Sequence, residues 1–116
     1  MWDEFEVLLH ARRDDVVARL AASAGELAGI QSARSSSNAD DEHDPEGSTL
    51  ADDWSRLTGL RVDAAAQLTA IDAALVRLAA GDYGHCAVCG RAIAPARLRA
   101  RPEATTCVAC FARGTS

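Results

Sequence analysis

The sequence predicts a mainly α-helical protein in which an antiparallel coiled-coil helical hairpin is followed by a small four-cysteine head. Three observations lead to this prediction: heptad-spaced apolar residues in two long segments, a dense acidic turn between them, and two Cys-x-x-Cys pairs near the C-terminus. Aromatic residues make up only 4% of the 116 residues, and alanine and leucine dominate the apolar set. This composition favours closely packed helices over a sheet.

The first helix is predicted over residues 3–33. Its apolar residues follow the alternating three- and four-residue spacing of a coiled-coil seam. The seam residues are Leu9, Val16, Leu20, Leu27 and Ile30. Arg13 and Ser23 interrupt the seam, and Gly25 and Gly29 each weaken the helix by about 1 kcal/mol relative to alanine.

An acidic turn is predicted over residues 34–48, with its tip at 36–48. Five acidic residues lie between Asp40 and Glu46, among serines, a proline and a glycine. Such a cluster is typical of a turn. Pro45 excludes a helix that runs straight through the segment.

The second helix is predicted over residues 49–80, with Thr49 as its N-cap in a capping box with Asp52. Gly81 is the predicted C-terminal stop. Two rows of residues, each spaced by seven, give four consecutive heptads: Trp54, Arg61, Leu68 and Leu75, and then Leu57, Ala64, Ile71 and Leu78.

The two helices are similar in length and are joined by a short loop, so we expect them to fold back as an antiparallel hairpin. The alternative is that they are two helices of an ordinary small bundle, but the rest of the chain is too short to supply the other helices. The predicted domains are a hairpin over residues 1–80 and a C-terminal domain over 81–116.

The four cysteines predict one structural zinc ion and make the C-terminal domain a four-cysteine zinc finger. The expected ligands are Cys86, Cys89, Cys107 and Cys110, in which 17 residues separate two Cys-x-x-Cys pairs. This spacing is typical of zinc sites. Each pair can present two thiolates to one side of a tetrahedral ion, and four protein ligands leave no position open for catalysis. A redox dithiol and an iron–sulfur cluster are the alternatives.

Several side chains near the cysteines bear on this site. His85 precedes the first cysteine, but it would be a surplus ligand and is more typical of a surface residue. Zn²⁺ with four thiolates carries a net charge of −2. The arginines expected to offset this charge are Arg91, Arg97, Arg99 and Arg101.

The charge of the chain is unevenly distributed. Residues 1–80 have a net charge of −8 and residues 81–116 a net charge of +3, and all 12 basic residues are arginine. An acidic arm and a basic head imply different partners for the two parts.

The N-terminus lacks the features of a signal peptide, and no apolar run approaches the roughly 18 residues of a membrane span. We therefore expect a cytoplasmic protein whose cysteines bind metal. No nucleophile is paired with a base, which argues against an enzyme.

Residues 78–110 resemble the DksA/TraR zinc-finger family of bacterial transcription factors. The resemblance rests on the Gly-x-Tyr-Gly-x-Cys-x-x-Cys-Gly sequence at 81–90, on Arg-Leu-x-Ala-x-Pro at 97–102, and on the second cysteine pair. The resemblance implies a non-catalytic regulator that inserts a coiled-coil hairpin into the secondary channel of RNA polymerase. It also implies that an acidic tip approaches the active site, that the zinc head docks near the channel rim, and that promoter DNA sequence is not read. We expect the chain to act as a monomer.

The predicted tip matches the tip motif of the family only in part. Well-known members have a D-x-x-D-x-A tip motif, which this chain does not reproduce in either possible alignment. The candidate tip residues are Asp41, Asp44 and Glu46. The tip is acidic but differs from the family motif.

The family's nucleotide-binding positions are also poorly matched. Arg101 matches one basic position, whereas two others fall on Ala70 and Phe111. We expect weak or absent binding of guanosine tetraphosphate.

Two other functions are compatible with the residues: a zinc-stabilised adaptor for another protein, and a nucleic-acid-binding zinc module that uses the arginines of the head.

Overall fold

The computed structural model describes residues 2–37 and 45–114; for residues 36, 37 and 45–48 it describes the backbone alone. Within these described residues, four helices follow one another. They are α1 (Asp3–Ser37), α2 (Pro45–Ala80), α3 (Pro95–Ala100) and α4 (Val108–Ala112). The predicted mainly helical fold, with a long hairpin and a four-cysteine head, is confirmed.

Both long helices extend beyond their predicted bounds. Helix α1 continues to Ser37 instead of ending at residue 33. Helix α2 begins at Pro45 instead of Thr49, so Thr49 lies inside the helix and the predicted N-cap is wrong. The physical reason is that proline suits the first position of a helix, where its fixed φ is already helical and its missing N–H is not needed.

The C-terminal end of α2 is where the sequence predicted it. Gly81 follows the last helical residue with a φ of +82°. In this left-handed conformation the N–H of Asp82 donates to the carbonyl of Arg77 at 2.8 Å. The bond satisfies one of the carbonyls that a helix end leaves open.

The chain forms two compact units, of which the first comprises Met1–Asp15 and Gln67–Ser116. In this unit the beginning of α1 runs antiparallel to the end of α2, and Arg13 donates to Asp72 at 2.7 Å. The buried apolar side chains of the unit come from both helices and from the head: Phe5, Leu9, Ile71, Ala74, Tyr83, Cys86, Ile93, Leu98, Pro102 and Cys110.

An aromatic cluster lies in this first unit. Trp2 meets Tyr83 edge to face at 5.3 Å between ring centroids, and Phe5 lies 5.6 Å from Trp2 and 5.8 Å from Tyr83. The Tyr83 hydroxyl donates to the Pro102 carbonyl at 2.8 Å. Aromatic pairs in this arrangement stabilise a fold by about 0.5–1.5 kcal/mol beyond the area they bury. The cluster fastens the start of α1 to the segment that leads to Cys86.

The second unit, Val16–Ala66, contains the remaining parts of the two long helices. Val16 and Leu57 are its buried seam residues. Arg61 occupies a seam position, and its guanidinium donates to the Leu20 carbonyl and to the Ser23 hydroxyl, both at 2.6 Å. Ser23, which interrupts the apolar pattern of α1, is therefore the partner of the charged residue in the seam of α2.

Candidate metal centre

The first cysteine pair lies in a tight turn between α2 and α3. The N–H of Cys86 donates to the Arg91 carbonyl at 2.8 Å, and the N–H of Gly90 donates to the Cys86 carbonyl at 2.9 Å. His85 and Ala92 form an isolated antiparallel bridge. These bonds curl the backbone around Cys86 and Cys89, which is how a Cys-x-x-Cys pair brings two thiols to one side of an ion.

Helix α4 positions the second pair. Cys107 is the N-cap residue of this helix and Cys110 lies within it. The N–H of Phe111 donates to the Cys107 carbonyl at 2.9 Å, and the N–H of Ala87 donates to the Thr105 carbonyl at 2.8 Å. The second bond joins the turn of the first pair to the loop that precedes the second pair, so the two pairs face each other.

The four sulfur atoms form one cluster that fits a zinc ion. They all lie within 4.8 Å of one another, and the sulfurs of Cys89 and Cys107 are 3.8 Å apart. Four thiolates at a Zn–S distance of about 2.3 Å in tetrahedral geometry are separated by about 3.8 Å. All four cysteines are free of disulfides. The structure thus brings the four cysteines that the sequence predicted as ligands into one cluster.

The thiols differ in their environments. Hydrogen bonding, first of all from the backbone N–H of Cys89, lowers the pKa of Cys86 to about 6. A backbone hydrogen bond from Cys110 is the main cause that lowers the pKa of Cys107. Burial raises the pKa of Cys110 to about 12. Zinc binding requires all four thiols as thiolates, so binding releases a proton from each thiol that is protonated beforehand.

The arginines expected near the site make contacts of their own with neighbouring residues. Arg97 donates to the Thr106 carbonyl at 2.7 Å and stacks over the Phe111 ring at 5.2 Å. Arg99 pairs with Glu4 at 2.5 Å. Within residues 2–37 and 45–114, no hydrogen bond joins the side chain of Arg91 or Arg101 to a cysteine sulfur. That these four arginines offset the charge of the zinc site stays a prediction.

The arginine that reaches a cysteine sulfur is Arg113, which the sequence reasoning missed. Its Nη2 lies 3.5 Å from the Cys110 sulfur, and its Nε donates to the Ala109 carbonyl at 3.4 Å. The signal that could have found it is the three-residue spacing, since residues three apart are neighbours on a helix. Using that signal would have required a helix to be predicted over residues 108–112, and the sequence analysis predicted none there.

The other predicted site residues are only partly described. Asp41 and Asp44 lie outside the described residues, and Glu46 belongs to the first turn of α2 with its side chain outside them. His85 is exposed. Arg101 is exposed and follows α3 as its C-cap residue, and Phe111 is 56% exposed.

A small helical protein with a long hairpin and a closed four-thiol site belongs to the class of four-cysteine zinc fingers. The prokaryotic DksA/TraR C4-type zinc-finger family matches residues 81–113. The solved structure of transcription factor DksA2 from Pseudomonas aeruginosa is 30% identical, with a TM-score of 0.79, over 97% of this chain and 81% of that one. The chain belongs to the DksA/TraR zinc-finger family, and its cofactor is a structural zinc ion. A comparison with curated protein sequences gave no match.

Membership of this family gives the chain the fold of a zinc-finger transcription factor. No helix in the described ranges combines the length and the apolar content that crossing a lipid bilayer requires.

Proposed function

We propose that this protein is a non-catalytic bacterial transcription regulator that binds RNA polymerase by inserting the α1–α2 hairpin into the secondary channel. The observation that carries the proposal is the likeness to a transcription factor along 97% of the chain at 30% identity. The likeness includes both long helices, which a zinc finger alone would not need. Family members use such a hairpin to reach the interior of the polymerase.

Electrostatics support the insertion of the hairpin. Residues 1–80 have a net charge of −8, and five of their acidic residues lie between Asp40 and Glu46. The segment 38–44 lies between α1 and α2 in the sequence, so this charge belongs to the predicted tip of the hairpin. An acidic segment is drawn into a basic channel and can perturb a nearby Mg²⁺ site. Asp41, Asp44 and Glu46 are the proposed functional residues of the tip.

The head has a structural task in this proposal. Cys86, Cys89, Cys107 and Cys110 are the proposed zinc ligands, and they close the coordination sphere, which leaves no position for a substrate or a water nucleophile. The division into a hairpin over 1–80 and a zinc-finger domain over 81–116 stays a prediction. We further propose that the protein acts as a cytoplasmic monomer, because its proposed partner is the cytoplasmic polymerase.

The zinc assignment has a direct test. Elemental analysis of the purified chain should give one zinc per chain, and Cys107→Ser should lose most of the structure of the head, because folding and zinc binding are coupled by about 10–16 kcal/mol in small zinc modules. Loss of the near-ultraviolet circular dichroism of the buried Tyr83 would report the change. Iron in the sample, or a metal-free chain with native spectra, would contradict the assignment.

Polymerase binding is tested by size-exclusion chromatography of the full chain with core RNA polymerase. We expect co-elution that weakens as the salt concentration rises, because acidic surfaces depend on unscreened charge. If the chain bound DNA in a separate binding assay but did not co-elute with the polymerase, the nucleic-acid-binding module would be favoured instead. If the chain bound neither polymerase nor DNA, the proposal would be overturned. The protein would then be an adaptor with another partner.

A further inference from the structure

Arg113 lies at the end of α4 and covers the most deeply buried part of the metal centre. Its Nη2 is 3.5 Å from the sulfur of Cys110, whose side chain is 1% exposed. Its backbone N–H and its Nε both donate to the carbonyl of Ala109, at 3.2 Å and 3.4 Å. The backbone bond closes the last turn of α4, and the Nε bond holds the guanidinium beside the sulfur.

The chemistry of the site creates a need for such a donor. Four thiolates and one Zn²⁺ leave a net charge of −2, which is costly next to buried surfaces unless cationic donors compensate it. Hydrogen bonds to ligand atoms also fix their orientation and tune the metal. Arg97 and Arg99 direct their side chains to Thr106 and Glu4 instead. Arg113 is thus the cation that the fold delivers to a ligand atom.

We infer that Arg113 is a positioning residue of the zinc site, which retains the metal by donating a hydrogen bond to the Cys110 thiolate. The inference rests on the proposed ligand set and goes beyond it, because it assigns a task to a residue that binds no metal. A second consequence is that Arg113 lowers the nucleophilicity of the Cys110 sulfur, since a thiolate that accepts a hydrogen bond from a cation holds its electron pair more tightly.

The test measures zinc affinity of the full-length chain by competition with a chromophoric chelator. Arg113→Gln should weaken zinc binding by about 10- to 100-fold, the range found when hydrogen-bond partners of metal ligands are removed. Arg91→Gln is the matched control, because it removes the same charge from an exposed arginine near Cys89 that has no bond to a sulfur. The control should change the affinity by less than about twofold, because Arg91 has no hydrogen bond to a ligand sulfur that the substitution could remove.

A spectroscopic readout separates this task from a merely structural one. In the Co²⁺-substituted protein, Arg113→Gln should shift the sulfur-to-cobalt charge-transfer band, and Arg91→Gln should leave it in place. A variant that merely destabilised the head would unfold more easily, whereas its cobalt-loaded fraction would keep this band in place. Equal zinc affinities for wild type and Arg113→Gln, equal losses in both variants, or an unshifted band would each overturn the inference. A wild-type chain that binds no zinc would overturn the ligand assignment as well.

Discussion

At the scale of single residues, Tyr83 is the best reporter of the head. It is the single tyrosine of the chain and is fully buried. Burial is the main cause that raises its pKa to about 12, and Arg77 partly opposes the change. The folded state therefore favours the protonated hydroxyl. That stabilisation is complete below pH 10, the ordinary pKa, and is lost as the pH rises from about 10 to about 12.

The tyrosinate absorbance of the native protein should accordingly titrate near pH 12, and that of the urea-unfolded chain near pH 10. The chain contains no lysine, so no ammonium group titrates in the same range. In Tyr83→Phe the free energy of unfolding should be flatter across this pH range. Identical titrations of the native and unfolded protein would contradict the burial of this hydroxyl.

Two glycines with different surroundings give a second prediction at this scale. A Cβ at Gly84 would lie 2.7 Å from the Trp2 ring, and the φ of Gly84 is +89°. A Cβ at Gly29, inside α1, would meet nothing within 4 Å. Gly84→Ala should destabilise the fold by at least about 1–2 kcal/mol, from backbone strain and displacement of the indole. Gly29→Ala should stabilise it by about 1 kcal/mol through helix propensity.

Urea unfolding monitored by circular dichroism compares the two glycine variants directly. Both changes add one methyl group to a glycine, so a difference in sign isolates the local conformation and space. If Gly84→Ala were as stable as wild type, the aromatic cluster of Trp2, Phe5 and Tyr83 would not have the close packing seen here.

At the scale of the helices, neighbouring residues of α2 distinguish the seam from its border. Ile71 is completely buried. Asp72, with 48% of its side chain exposed, accepts a 2.7 Å bond from Arg13. Ile71→Asp should cost about 3–5 kcal/mol, because it buries a charge without a partner. Asp72→Asn should cost less than about 1 kcal/mol, as expected for an exposed ion pair.

Thermal and urea unfolding of these two variants test the register of the hairpin. Each variant changes one side chain on the same turn of the same helix, so helix propensity contributes little to the difference between them. Similar melting of Ile71→Asp and wild type would mean that another face of α2 forms the seam.

Heptad spacing predicted the seam well, because burial in a coiled coil repeats every seven residues and each heptad reinforces the next. The helix ends were less predictable. Thr49 with Asp52 and Pro45 are both valid start signals, and the residues between them are compatible with helix and turn alike. Which of the two signals starts the helix depends on the free energy of the whole folded hairpin. A local sequence pattern does not contain that information.

The metal centre was predictable to the level of its ligands but not of their surroundings. The spacing of four cysteines constrains the chain strongly, since tetrahedral coordination accepts few arrangements. The side chains that contact the ligands depend on where short helices end. Arg113 reaches Cys110 only because α4 ends at Ala112 and turns its C-cap residue toward the sulfur. The sequence analysis considered the arginines between the two cysteine pairs and left out Arg113, which follows the second pair.

At the scale of the whole molecule, the uneven distribution of charge along the chain is the property that links the sequence to the proposed function. The first 80 residues carry 15 acidic residues and 7 arginines, and the last 36 carry 2 and 5. A uniform acidic protein would be repelled from nucleic acid and attracted to basic surfaces as a whole. This chain instead separates an acidic hairpin from a basic head, which favours one orientation on a partner with surfaces of both signs.

The tip is where this charge separation is expected to act. Under the proposed function, changing both Asp41 and Asp44 to Asn should remove the effect of the protein on transcription. Polymerase binding should fall much less, because the sides of the hairpin and the zinc head provide separate contacts. Stability should be nearly unchanged, because the sequence predicts a surface turn here and substitutions in such turns usually alter stability by less than about 0.5 kcal/mol.

The matched control removes two charges from the same arm away from the tip. Asp52 and Asp63 are exposed residues of α2, and changing both to Asn gives the same net charge as the tip variant. Promoter-complex lifetime and initiation rate, measured beside polymerase affinity, then separate a local effect of the tip from the attraction of an acidic arm. If both double variants retain full effects on transcription, the tip has no direct task and the function lies in the head. If both lose their effects equally, total charge draws the arm to the polymerase and the position of the carboxylates is immaterial. Loss confined to the Asp41 and Asp44 variant, with affinity preserved, is the result that the proposed insertion of the tip requires.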